Sequence, residues 1–257
     1  MKKLILLTLL ITAGLYLVLS QINSYNKLDQ ISKQIINPCV FVGIAENYGG
    51  SGVIFAKNKL PYYGYEYYVL TARHIILHRF ANIVIGVDGI TGGVQLQQYE
   101  LPIDIKIYND KLEETHCIHA DILAVGENNL DLALLKFVLD EDLPIAKLLS
   151  KEDFNQLRAG SKSYSVGCTL TKKPSLTSGI ISKPSLDEYP IPIIVSDVKI
   201  APGNSGGGLY IEFNDNFYLV GIGISAETHN GVWIPHIGLF IHIETILDFI
   251  KENNITY

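Results

Sequence analysis

The chain has 257 residues, of which 48% are hydrophobic and 18% charged, with 22 Gly and 10 Pro. That composition excludes a disordered or collagen-like chain and supplies enough apolar residues for a large core without a metal or disulfide staple. Twenty Lys and Arg against 26 Asp and Glu leave a net charge of −6, and without a clustered basic block the chain is no nucleic-acid binder, because phosphate neutralisation requires grouped cations.

In chain order, Met1-Lys2-Lys3 precedes Leu4–Leu19, an apolar run interrupted only by Thr8, Thr12 and Gly14. A basic start followed by an apolar stretch is the pattern of a signal peptide or an N-terminal membrane anchor, assigned to residues 1–22. No polar face interrupts the run, which argues against an ordinary core helix. Cleavage after Ser20 and retention through residues 4–22 both stay open, with retention slightly favoured. In either case Lys2 and Lys3 predict that everything beyond Gln21 lies outside the cytoplasm, facing the periplasm or the cell exterior. Residues 23–37 are polar, with Ile and Leu at helical spacing, and are expected to form a short stalk or helix.

From Cys39 the pattern changes. Short runs rich in Val, Ile and Tyr recur between turn residues: 40–45, 52–55, 67–70, 83–87, 103–108, 117–125 and 131–137, then 162–166, 176–182, 193–198, 208–213, 217–224 and 239–242. Such spacing predicts an all-β sandwich or barrel. Ser150-Lys151-Glu152-Asp153 is the start of a capping box, and opens a helix expected to stop at Gly160. A second helix, over 244–253, has Ile246, Leu247 and Ile250 at helical spacing. The first helix divides the strands into two sets, barrel one at about 38–145 and barrel two at about 159–243. Cys39, Cys117 and Cys168 are an odd number widely spread, which is no disulfide framework. Pairing of Cys168 with Cys117, or none, stays open. His116, Cys117 and His119 are too few on one strand face for a closed zinc site.

Three segments carry chemistry. Tyr68–Arg73 is a strand ending in Thr-Ala, which puts His74 on the turn beyond it. Asp131 opens the apolar stretch Leu132–Leu135. Pro202-Gly203-Asn204-Ser205-Gly206-Gly207-Gly208 surrounds one serine with glycines that turn tightly and aim N–H groups into one concavity. A nucleotide loop does not fit, because no Gly-Lys-Ser/Thr ending and no following helix are present. Taken singly, His74 and Asp131 are ordinary structural residues. Together they stand in the order His, Asp, Ser, the first two in one barrel and the third in the other, which is the chymotrypsin-type order.

On these residues the chain resembles the trypsin-like superfamily, and within it the HtrA/Deg proteases. The matching stretches are Gly50-Ser51-Gly52-Val53-Ile54, Leu70–His74, Asp131–Lys136, Thr177–Ser182 and Pro202–Leu209, and the likeness covers about residues 38–250. It implies a chymotrypsin-like fold of two six-stranded antiparallel β barrels, a short C-terminal helix and the N-terminal hydrophobic helix ahead of them. It further implies a serine endopeptidase acting on protein or peptide substrates, needing no cofactor and no metal. Ser205 would attack the scissile carbonyl, His74 would move the proton, Asp131 would hold the imidazole, and the N–H groups of Gly203 and Ser205 would form the oxyanion hole. Asn204 stands where activatable zymogens carry an Asp, so no activation by a new N-terminal ammonium is expected.

The substrate pocket is expected at Lys199, Gly223, Ile224, Ser225 and His236, admitting aliphatic side chains, or acidic ones if Lys199 faces in. The chain departs from the family at Gly208, usually a proline, and in the few residues after the last strand, which leave no room for a PDZ domain. No trimerising segment is identifiable, so oligomeric state stays open. A catalytically silent or gated peptide-binding module on the same fold is the alternative.

Overall fold

The computed structural model describes residues 2–44, 48–87, 94–171, 173–230 and 232–256. Helix α1 (Lys2–Ile31) runs unbroken into a π-helical turn, Ser32–Ile36. Among the described residues no helix is long and apolar enough to cross a membrane. The end of this helix does not stand free of the fold as a stalk would. Ile35 is fully buried, the Lys27 Nζ lies 2.7 Å from a Glu212 oxygen, and Ser32 and Asn37 both donate to the Asp110 carboxylate.

Eight strands follow that belong to the first half: β1 (Cys39–Ile44), β2 (Tyr48–Lys59), β3 (Tyr65–Thr71), β4 (Phe80–Val87), β5 (Val94–Glu100), β6 (Ile103–Tyr108), β7 (Glu114–His119) and β8 (Asp121–Val125). They are completed by β9 (Ala133–Leu139) and interrupted by the short helix α2 (Arg73–Leu77). Seven of them form one antiparallel sheet in the order β7-β6-β1-β2-β3-β9-β8, while β4 and β5 pair as a separate hairpin. The run expected as one strand over 117–125 is broken at Ala120 into β7 and β8, which pair with different neighbours.

The second half opens with α3 (Lys151–Phe154), capped by the Ser150 hydroxyl, which accepts from the Asp153 N–H at 3.0 Å. The cap is where the sequence puts it, but the helix is one turn long and does not reach Gly160. Strands β10 (Lys162–Gly167), β11 (Ser175–Leu186), β12 (Ile193–Ser196), β13 (Gly208–Phe213), β14 (Asn216–His229) and β15 (Val232–His242) close a six-stranded barrel in the order β10-β11-β12-β15-β14-β13. Helix α4 (Ile243–Glu252) ends the fold, its apolar face Ile246, Leu247 and Ile250 buried on the barrel. The chymotrypsin-like double-barrel architecture expected from the sequence is therefore present. The second barrel has the six strands expected, whereas the first is a half-barrel sheet of seven strands with an added hairpin.

Alternation along β1 explains how the halves join. Val40, Val42 and Ile44 enter the core inside the first half, while Cys39 and Phe41, on the opposite face, belong to the core of the second barrel. A strand buried on both faces reads as a continuous apolar run, which β1 does. All three cysteines are free thiols. Cys117 is exposed on β7, and the buried Cys168 thiol is hydrogen-bonded to Cys39; burial, with Cys39 beside it, pushes the Cys168 thiol well up.

Candidate active site

Strand β3 ends at Thr71, and the extended Ala72 turns the chain into α2, so His74 leaves the sheet at the junction. Asp131 arrives from the neighbouring β9 side, at the exit of a turn in which the Leu130 N–H donates to Glu127 O at 3.0 Å. The two meet through two hydrogen bonds. The Asp131 Oδ2 lies 2.7 Å from His74 Nδ1, and Asp131 Oδ1 accepts the His74 backbone N–H at 2.8 Å. The carboxylate thus grips both the ring and the main chain of the histidine, which favours the tautomer with its proton on Nδ1 and leaves Nε2 as the basic nitrogen. Arg73 steadies the same corner by donating from Nη1 to Asn128 O at 2.8 Å.

Ser205 comes from the second barrel, on the turn before β13. Most backbone groups of that turn are paired. The Pro202 carbonyl accepts from Leu170 N–H at 2.6 Å, the Gly203 carbonyl from the Ser51 hydroxyl at 2.6 Å, and the Asn204 carbonyl from Gly207 N–H at 2.8 Å. The Ser205 carbonyl accepts from Ser51 N–H at 2.7 Å. Among the donors, Asn204 N–H goes to Ala201 O at 3.0 Å and Gly206 N–H to Gly223 O at 2.7 Å. Among the described residues the N–H groups of Gly203 and Ser205 are left without an acceptor. They are the two donors the sequence singles out for an oxyanion.

Glycine is required at two of these positions. Gly203 has φ +95 and Gly206 φ +82, and a Cβ on Gly206 would stand 2.0 Å from Ser51 O. Gly208, the departure from the family pattern, has its side-chain space filled by the Tyr210 ring at 2.5 Å and Leu219 at 2.7 Å. Asn204 is buried, and its Oδ1 accepts from the Thr169 hydroxyl at 2.8 Å, a neutral contact in place of an ion pair.

A cleft of about 460 Å³ opens on His74 and Ser205, walled by Tyr48, Gly49, Ile75, Leu170, Pro202 and Gly203. Burial holds the Tyr48 phenol above its ordinary pKa. The five residues expected as a specificity pocket do not line this cleft. Gly223 and Ile224 are brought to the Ser205 turn, but through their backbones: Gly223 N–H donates to Gly207 O at 2.8 Å, and Ile224 O accepts from the Ser205 hydroxyl at 3.4 Å. Lys199, Ser225 and His236 are exposed, and Lys199 meets the barrel through its carbonyl, which accepts from the Thr177 hydroxyl at 3.2 Å. In its stretch the buried positions are Val198 and Ile200. Sequence reasoning also missed Ser51, Thr169 and Leu170 as neighbours of the nucleophile turn. Only the glycines flanking Ser51 signalled a close backbone approach there.

The trypsin-like peptidase domain family matches residues 50–222. A probable periplasmic DegP-like serine endoprotease from Marinomonas sp. (strain MWYL1) is 41% identical over 106 residues, covering 39% of this chain and 21% of that protein. A protein of the same description from Hahella chejuensis is 33% identical over 130 residues, covering 49% of this chain and 26% of its own. The chain thus matches only about a quarter or less of the length of these relatives. Among solved structures, the HtrA-type protease AlgW with tripeptide superposes with a TM-score of 0.62 at 22% identity, over 88% of this chain and 62% of that one. The serine endoprotease from Yersinia pestis gives 0.59 at 22%, over 88% and 66%. These two likenesses concern the fold. With the family match spanning most of the double barrel, from the strand that carries Ser51 to the strand behind the nucleophile, the chain belongs to the trypsin-like peptidase domain family.

Proposed function

We propose that the protein is a serine endopeptidase that cleaves protein or peptide substrates through His74, Asp131 and Ser205. The observation that carries this reading is the coincidence, around one cleft, of a doubly held His–Asp pair and a serine turn in which, among the described residues, the Gly203 and Ser205 N–H groups have no acceptor. The Ser205 hydroxyl, now directed to Ile224 O, rotates about χ1 toward His74 Nε2 when substrate enters; a loose nucleophile–base contact is usual before a substrate is bound.

In the first step Ser205 Oγ attacks the scissile carbonyl and its proton passes to His74 Nε2. The carbonyl oxygen, now negative, takes the Gly203 and Ser205 N–H groups. His74 then gives the proton to the leaving amine, and the acyl group remains on Oγ. Water, deprotonated by His74, attacks the ester and releases the acid. Asp131 stays ionised throughout and stabilises the imidazolium.

The protein works outside the cytoplasm, exported by residues 1–22, with residues 4–22 holding it at the inner membrane if they are retained. The basic and apolar N-terminus supports this, as does the periplasmic description of the DegP-like relatives. A gated or silent peptide-binding form is a second reading, favoured by the direction of the Ser205 hydroxyl away from His74. Covalent labelling with a fluorophosphonate, read by intact mass, decides between them. One adduct on the wild type, lost in Ser205→Ala and His74→Ala, supports the peptidase; a folded wild type that takes no adduct supports the second reading.

A further inference from the structure

Ser51 lies on β2, in the first half of the molecule, yet its hydroxyl and N–H face the second. The residue is fully buried. Its hydroxyl donates to Gly203 O at 2.6 Å and accepts from Cys168 N–H at 2.7 Å. Its own N–H donates to Ser205 O at 2.7 Å, and its carbonyl accepts from the buried Thr71 hydroxyl at 2.7 Å. One residue thus holds both ends of the Gly203–Ser205 segment from across the interface between the halves.

The surrounding glycines show that this approach is built in. A Cβ on Gly50 would stand 2.8 Å from Ser205 O, one on Gly167 would stand 2.9 Å from the Ser51 hydroxyl, and one on Gly206 would run into Ser51 O. Each of the three would push Ser51 away from the nucleophile turn.

We propose that Ser51 is a positioning residue for the oxyanion hole, its hydroxyl setting the Gly203–Asn204 peptide so that the Gly203 and Ser205 N–H groups converge on one point. This rests on the peptidase reading above. The physical link is the planarity of the peptide unit: fixing a carbonyl fixes the N–H on the other side of the same bond. Ser51 fixes the Gly203 carbonyl, and with it sends the Asn204 N–H back to Ala201 O, out of the cleft. The Pro202 carbonyl, which sets the Gly203 N–H, is fixed by Leu170, two residues after the Cys168 whose N–H Ser51 accepts. A single hydroxyl therefore ties together the segments that orient both peptides before Asn204. Without it the Gly203 carbonyl has no partner where it lies, and a flip of the 203–204 peptide toward the cleft would put an acceptor, rather than a clear path, beside the two donors.

The test compares wild type, Ser51→Ala and Ser51→Cys, each shown folded by circular dichroism and by a melting temperature above that of the assay. Two readouts are taken: the second-order rate of fluorophosphonate labelling at Ser205, and kcat and KM on fluorescent casein. Ser51→Ala is expected to label about 100-fold more slowly, the scale of losing one oxyanion donor. Its kcat on casein falls while KM is unchanged, a split that a merely structural role would not produce. Ser51→Cys, which keeps a side chain of similar shape but a weak donor and acceptor, slows in the same direction and serves if the alanine variant does not fold. Wild-type labelling rates in either folded variant would overturn the proposal. A folded wild type that does not label would overturn the peptidase reading, and this proposal with it.

Discussion

The two halves of the molecule build their parts of the site by different means. The first half makes its contribution with side chains: a carboxylate from beside β9 takes the ring and main chain of a histidine from the end of β3, two adjacent antiparallel strands. The second half makes its contribution with the backbone, where carbonyl hydrogen bonds hold the Ser205 turn and, among the described residues, leave the Gly203 and Ser205 N–H groups without an acceptor. A site of the first kind depends on which side chains are present. A site of the second kind depends on how closely main chains approach, and so on glycines and on partners distant in sequence.

The largest effect should come from removing the one side chain the second half does supply. Ser205→Ala is expected to lower kcat on the order of a million-fold, with fold and melting temperature unchanged, as measured by casein hydrolysis and calorimetry. Retention of measurable turnover would mean that the reaction does not pass through Ser205. Next is the grip in the first half. Asp131→Asn leaves an oxygen for the His74 main-chain N–H but turns an amide donor toward the ring, favouring the wrong tautomer. It should cost about ten-thousand-fold in kcat, with little change in stability.

A pair of glycine substitutions then separates main-chain approach from simple backbone strain. Gly160 and Gly206 both have positive φ, but a Cβ on Gly160 meets nothing within 4 Å, whereas one on Gly206 strikes Ser51 O. Gly160→Ala should cost about 1–2 kcal/mol, measured by urea denaturation, and leave labelling of Ser205 unaltered. Gly206→Ala should cost more and slow labelling as well. Equal effects in both assays would show that the two halves need not meet closely at Ser51.

The smallest effect concerns acid. His242 caps α4 by accepting the Glu244 N–H on Nδ1 at 3.1 Å, with its ring 4.0 Å from that of Phe154. Burial holds its pKa below the ordinary 6.5. The unfolded chain therefore takes up this proton first, and stability is lost as pH falls below about 6.5, until the folded imidazole is itself protonated. Melting temperatures between about pH 8 and pH 5 should fall less steeply in His242→Asn, which caps a helix without titrating. An unchanged slope would remove His242 as the source.

Much of the second barrel was legible because its signals are local. The apolar runs in 208–213 and 217–224, the Ser150 cap and the Ile246-Leu247-Ile250 face each act within a few residues, and each appears where expected. The first half was harder. Its hairpin strand β5 holds three Gln and one Glu among seven residues and does not read as an apolar run, and the break at Ala120 depends on which neighbours β7 and β8 find. The helix expected to reach Gly160 ends after one turn because only Phe154 and Leu157 of that stretch are buried.

For the candidate site, residue types and order were enough to single out His74, Asp131, Ser205 and the Gly203 and Ser205 amides, because acid–base and nucleophilic chemistry admits few side chains and the glycine-rich turn announces its own geometry. What only the tertiary structure decided is everything that depends on approach between the halves. The placement of Ser51 over the nucleophile turn, the exposure of Lys199, Ser225 and His236, and the meeting of Cys168 with Cys39 are set by strand closure across more than a hundred residues. Periodicity along a chain reports which face of an element is buried, and it carries no information about which distant backbone that face will meet.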